Sequence, residues 1–310
     1  MHRTVTAIVG TVIACSAIVG MAGCGPSSTG GLGTAPQGAS ASPAATRTAQ
    51  PTSTSPAATS PASPVPTTAP PASGRTIALQ AWLIRGGRLF ETHRTVPATT
   101  SVGRASVNAV LAGPNAAETS AGLASAIPAG TSLLGLTIAR GVATVDLSSQ
   151  FATSASAPTV SLRLAQVVYT LTQFGTVRRL VFHVAGAAVT TIGGRSVTGP
   201  QTRAAYAGDL PAIVVASPVI GGRITSPVTV SGTADVFEAV VSIRILNSAG
   251  KEIARTFTNA TCGTGCRGDY SVAVPYSVTS VQRGTVEVYE SSAKDGSPVH
   301  VQRIPVLLEP

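Results

Sequence analysis

Charge and aromatic rings are both scarce in this chain: 11% of its 310 residues are charged and 4% are aromatic, with one tryptophan. So little charge argues against long solvated helices and suits small β-rich or α/β domains with modest cores. Histidine is nearly absent; beyond His2 there are only His93, His183 and His300, too far apart in sequence to form a ligand cluster. No paired carboxylates, no Gly-x-Ser-x-Gly elbow and no phosphate-loop lysine after Gly193-Gly194 or Gly221-Gly222 are found. A lone strand histidine such as His183 reads as a surface or satisfied side chain. Asp146 reads as strand-end duty, its carboxylate bonding nearby backbone. No catalytic residue, metal ligand or cofactor is therefore assigned. A cell-wall hydrolase stays a remote alternative because it lacks its chemistry.

Cysteine is limited to Cys15, Cys24, Cys262 and Cys266. The first two lie in or beside an N-terminal leader. Met1-His2-Arg3 is a short basic start, Val5 to Ala22 carries no charge, and Ala22-Gly23 places small residues directly before Cys24. Val19-Gly20-Met21-Ala22-Gly23-Cys24 resembles a bacterial lipobox, with Met21 where leucine is usual. The resemblance implies cleavage after residue 23 and acyl chains on Cys24. At about 0.8 kcal/mol per buried methylene, two or more chains anchor a protein durably. Residues 1–23 are read as a lipoprotein signal peptide. The mature protein is expected on the extracytoplasmic face of the cell membrane, out of reach of nucleic acid.

Residues 24–74 hold ten prolines among Ser, Thr, Ala and Gly, and one charge, Arg47. A segment with no apolar area to bury reads as a disordered tether. Fifty such residues span roughly 35–42 Å as a coil and about 155 Å as polyproline II. Its Ser/Thr-Pro density also suits O-linked sugars.

Order is expected from residue 75. Ile77 to Ile84 and Leu89 to Val96 read as a hairpin about Gly86-Gly87. Val107, Val110 and Leu111 fall at helical spacing before Gly113-Pro114. A second hairpin, Leu133 to Ala139 and Val142 to Leu147, turns at Arg140-Gly141. Thr159 to Phe174 reads as a helix with Val160, Leu164, Val167, Val168 and Leu171 on one stripe and Gly175 at its end. Arg179 to Ala185 supplies a last strand. The order predicts an α+β sandwich over 75–192 with its helices on one face of a sheet. Trp82 reads as core by default, with a sugar platform as the minority alternative.

Leu111-Ala-Gly-Pro114, Glu118, Gly122-Leu123, Ala126-Ile127-Pro128, Gly141-Val-Ala-Thr-Val-Asp146-Leu147 and Ala165 to Phe174 carry a family likeness. Together they resemble the GerMN domain of sporulation and spore-germination proteins. That family is similar to ring-building domains of spore envelopes, which implies self-association or docking onto another envelope protein. It also occurs in bacteria that form no spores.

A polar joint is expected at 193–209. Seven short strands then follow: Ile213 to Ala216, Val228 to Val230, Val240 to Leu246, Ile253 to Thr258, Tyr270 to Val274, Thr285 to Tyr289 and Val299 to Leu308. Seven alternating strands in 100 residues predict an all-β sandwich over 210–310. Ser217-Pro218, Ser226 to Ala234 and Phe237-Glu238-Ala239 resemble the immunoglobulin-like spore-germination domain that often follows GerMN.

Two features remain as candidate sites. Cys262 and Cys266 in an exported chain read as a disulfide pinning a hairpin tip. The rivals are a redox pair, which usually has two intervening residues, or half a metal site. Between Arg75 and Gly208, eleven arginines face only Glu91, Glu118 and Asp146, whereas residues 209–310 are near balance. Arg85, Arg88, Arg94, Arg104, Arg178 and Arg179 are the candidate contact surface; a solvated face with no partner is the plain alternative. The sequence predicts a non-catalytic, lipid-anchored binding or assembly module. Its partners would be the membrane through Cys24, an envelope protein or a second copy of itself, or an anionic wall polymer.

Overall fold

The structure, a computed structural model, describes residues 74–310. The leader, Cys24 and all but the end of the tether lie outside the described residues.

The N-terminal domain opens with β1 (Thr76–Arg85) and β2 (Arg88–Pro97), paired antiparallel along their whole length. Gly86 and Gly87 turn the hairpin with φ of 58° and 73°, which a two-residue turn of this hand requires. Helix α1 (Val102–Leu111) buries Gly103, Ser106, Val107 and Val110 and stops before Gly113-Pro114. A one-turn helix that the sequence reading did not contain, α2 (Ala116–Ser120), starts on a capping box between Asn115 and Glu118. Then come β3 (Leu133–Ala139), β4 (Val142–Leu147), a 3-10 turn at Ser149–Ala152, α3 (Ala157–Leu171), β5 (Arg179–Val184) and β6 (Ala187–Ala188). They form a four-stranded sheet in the order β3-β4-β5-β6. β4 and β5 run parallel, with α3 as their crossover.

The expected single sheet is two separate ones, because α3 is buried all round. Val160, Leu164, Val167, Val168 and Leu171 are fully buried as their stripe predicts, but Arg163, Gln166 and Thr170 on the other side are buried as well. That second side completes the outer edge of β1. Gln173 exchanges two bonds with the backbone of Gln80, each 2.9 Å. Thr170 Oγ1 accepts from Trp82 N at 3.1 Å, and Gln166 Nε2 donates to Trp82 O at 2.8 Å. Ile84 exchanges backbone bonds with Ala124. The alternate residues Gln80, Trp82 and Ile84 of the edge are thus satisfied, as an unpaired strand in a protein interior requires. Pro158 sits in the first turn of α3, where its missing N–H costs nothing.

Two short strands, β7 (Thr191–Ile192) and β8 (Arg195–Ser196), follow. The segment 193–209, expected as a polar joint, is built into the fold: Val197 and Tyr206 are buried, and Arg203–Asp209 is a 3-10 helix packed on α3.

The C-terminal domain is all β: β9 (Ile213–Ser217), β10 (Arg223–Ile224), β11 (Val228–Ala234), a 3-10 turn at Phe237–Ala239, β12 (Val240–Leu246), β13 (Glu252–Asn259), β14 (Gly268–Val274), β15 (Gln282–Ser291) and β16 (Pro298–Leu308). A three-stranded sheet, β14-β11-β9, accompanies a five-stranded one, β10-β16-β15-β12-β13. Alternate residues such as Val241, Ile243, Ile245, Val286, Val288, Ile304 and Val306 are buried. Cys262 and Cys266 are disulfide-bonded, with Cα atoms 5.5 Å apart. The bridge does not pin a hairpin tip: β13 and β14 belong to different sheets, so it lies where the chain crosses between them.

Buried apolar side chains of both domains form one connected cluster. Polar bonds also cross between them. Arg85 donates to Arg303 O at 2.8 Å and Gln302 Oε1 at 2.7 Å.

Candidate functional site

The six arginines of the expected contact surface do not act together. Arg94 turns inward and holds both carboxylate oxygens of the buried Glu118 at 2.7 Å. Burial pushes the Glu118 carboxyl up, but hydrogen bonds from Arg94, Thr92 and Asn115 and the charge of Arg94 outweigh it and hold the group below its ordinary range. Arg85 lies over the Phe90 ring at 4.2 Å while it bonds the second domain. Burial, with Arg303 nearby, pulls its guanidinium down to about 10. Arg88 donates to Gly208 O. Arg94 and Arg85 thus spend their donors on the protein itself, whereas Arg88 stays exposed with one bond made.

Arg104, Arg178 and Arg179 are exposed, and no carboxylate among the described residues pairs with them. Arg140, which sequence reasoning placed only in a turn, joins Arg178 and Ile138 around one shallow hollow; Arg104 and Ile138 flank a second beside it. β3 runs along this face and pairs with β4 on one side only. On it Leu134 is 52% exposed and Ile138 41% exposed. Arg140 holds φ at 50°, a left-handed position that Asn or Gly adopts at less cost. The site is an apolar strand edge rimmed by Arg104, Arg140 and Arg178. Its signal in the sequence was Leu133-Leu134 and Ile138 leading straight into Arg140-Gly141.

A second concave region lies between the domains. Trp82, expected as core, is buried against Tyr169 with ring centroids 4.9 Å apart. Arg203 lies over Tyr169 at 4.8 Å and Trp82 at 6.0 Å, so a guanidinium already covers these rings. Burial lowers the Arg203 pKa, while Tyr169 and Glu91 act to raise it. Asp146 accepts from Gly186 N at 3.0 Å, backbone duty as expected, but across the sheet. His300 meets Glu290 at 2.8 Å and His93 stands 3.4 Å from Glu91. Among the described residues no three His, Cys, Asp or Glu side chains come together as a metal site. No helix among them is long and apolar enough to cross a membrane.

Residues 85–190 match the family described as sporulation and spore germination, and residues 212–297 match the immunoglobulin-like domain of bacterial spore germination. No curated protein matches the chain. Among solved structures, a candidate lipoprotein of Clostridium perfringens is 22% identical over 44% of this chain and 94% of its own, with a TM-score of 0.32. The first GerMN domain of the Bacillus subtilis sporulation protein GerM is 20% identical over 42% of this chain and 99% of its own, at 0.34. The tandem GerMN domains of the same protein are 14% identical over 66% and 63%, at 0.37. The chain carries a GerMN domain of the sporulation and spore-germination kind, followed by an immunoglobulin-like domain of bacterial spore germination.

Proposed function

We propose that this protein is a non-catalytic module of a bacterial envelope, held outside the membrane by acyl chains on Cys24. In this reading its GerMN domain docks an acidic protein partner, in sporulation or germination where the organism forms spores. One observation carries it: β3 offers an unpaired strand edge with exposed Leu134 and Ile138, ringed by Arg104, Arg140 and Arg178. Main-chain bonds from an added strand supply affinity there, and the arginines select for acid. Two copies meeting β3 to β3 would press arginine on arginine, which favours a different protein over self-association through this edge.

A photocrosslinker at the exposed Thr137 in intact cells tests the docking. The expected result is a crosslinked partner that is lost when Arg104, Arg140 and Arg178 are all changed to Glu. Equal capture by wild type and triple variant counts against it. Sedimentation with purified wall that the triple change abolishes, with no protein crosslinked, transfers the face to an anionic wall polymer. Labelled palmitate on the wild type and none on Cys24→Ala tests the anchor separately.

A further inference from the structure

In the immunoglobulin-like domain β13 is an edge strand, paired with β12 on one side only. Beyond that ladder, the one bond to its main chain among the described residues is a long one, 3.5 Å, from its own Thr256 Oγ1 to Phe257 O. Phe257 is 68% exposed, more than any other large apolar side chain among the described residues. Arg255 and Asn259 stand exposed on the same face of the strand.

An antiparallel ladder takes the N–H and C=O of every second residue. Ala260 N donates to Ala239 O, one step beyond the Val240–Asn259 pair, so Thr258, Thr256 and Ala254 turn their main-chain groups to β12. Arg255 and Phe257 therefore point theirs outward. The free margin is bounded at both ends. A bulge displaces Ile253, and past Asn259 the chain is held by Asp269, which exchanges bonds with Thr261. What is left, Ala254 to Thr258, is centred on Thr256. It holds no proline, glycine, lysine or further bulge, the devices that keep sheet edges apart.

A strand that meets its own copy antiparallel does so about a two-fold axis, and side chains keep a common face only when that axis passes through a residue. With the axis at Thr256 the whole free stretch is used, and Arg255 of each copy lies opposite Phe257 of the other. Both residues turn their main chain outward, so the copies exchange N–H···O=C bonds on either side of the axis. Each guanidinium also comes over a phenyl ring, a cation–π pair made twice, while Glu252 keeps its bonds to Arg255 at 2.8 and 2.6 Å. An axis one residue earlier sets arginine opposite arginine; one residue later drives the pairing into the segment that Asp269 holds. We infer that the immunoglobulin-like domain pairs with a second copy of this chain through β13, in antiparallel register about Thr256. Such a contact is self-complementary and closes as a dimer, and it uses a different strand and domain from the docking proposed at β3.

Two differently tagged copies of the full chain are co-produced in cells, each with a photocrosslinkable residue at Asn259, which the pairing brings beside Ile253 of the other copy. A product carrying both tags is expected. Phe257→Lys, at an exposed site, sets lysine opposite arginine on both sides of the axis and should reduce that product about tenfold. Arg255→Glu added to Phe257→Lys sets glutamate opposite lysine and should restore it. No two-tag product from the wild type, or one undiminished by Phe257→Lys, overturns the inference. Loss without return in the double variant overturns the register. A product with a different protein alone overturns the choice of a second copy. Changing Arg104, Arg140 and Arg178 together to Glu should leave the two-tag product unaltered, which separates a failure here from a failure of β3 docking.

Discussion

Gln166 holds Trp82 in place through the backbone: its amide donates to Trp82 O at 2.8 Å and accepts from Ala126 N at the same distance. One side chain therefore ties α3 to β1 and to the loop before β3. The residue is fully buried, so neither backbone group would find water in its absence.

Gln166→Leu should cost about 2–6 kcal/mol, since it strands a buried carbonyl and a buried N–H at about 1–3 kcal/mol each. Gln173→Leu should cost less, because its site is half-exposed. Urea unfolding followed by Trp82 fluorescence measures both.

The Arg94–Glu118 pair predicts an acid-sensitive N-terminal domain. Glu118 titrates below its ordinary value when folded, so its contribution is complete above the unfolded carboxylate range. It is lost as pH falls through the lower folded value. The melting-temperature gap between wild type and Glu118→Gln should be wide at pH 7 and shrink below about pH 4.

Arginines on the same domain should differ sharply by position. Arg94→Ala leaves the buried Glu118 carboxylate unpaired and should cost about 3–5 kcal/mol at neutral pH. Arg104→Glu, Arg140→Glu and Arg178→Glu should each stay within about 0.5 kcal/mol of wild type. Thermal unfolding of the four single variants decides it. A large loss in Arg178→Glu would mean that this side chain is structural.

Reduction of Cys262–Cys266 should cost about 2 kcal/mol in the chain-entropy model, because the closed loop is short. The bridge sits where the chain passes between sheets, so hydrogen exchange should rise first at Thr264 and Gly265. These amides bond Val236 O and Asp235 Oδ1.

Strand and turn chemistry made most of the fold readable. Gly86-Gly87 and Arg140-Gly141 marked two hairpins, and period-two alternation placed β9 and β11 to β16 within a few residues. What escaped depends on partners distant in sequence. Arg163, Gln166 and Thr170 fall at helical spacing on α3, with Gln173 just past its end, and spacing alone reads them as its wet side. Their true partners, at Gln80, Trp82, Ala126, Phe151 and Thr153, emerge only once the chain is folded. The arginines illustrate the same limit: net charge counts them but cannot tell Arg94, locked on Glu118, from Arg178, which pairs with no carboxylate among the described residues. The interdomain cleft was out of reach because Trp82 and Glu91 share its lining with Gly232 and Tyr270, from 141 to 188 residues further along.

Filling the outer edge of β1 with amide and hydroxyl side chains has a bearing on stoichiometry. Strand-by-strand growth into a fibre needs two matching open margins on every subunit. In the GerMN domain Gln80, Trp82 and Ile84 have already given theirs away, and the far margin of the other sheet is a stub of two residues, Ala187–Ala188. The β1 margin of this domain is therefore closed to strand addition, while β3 keeps its outer margin.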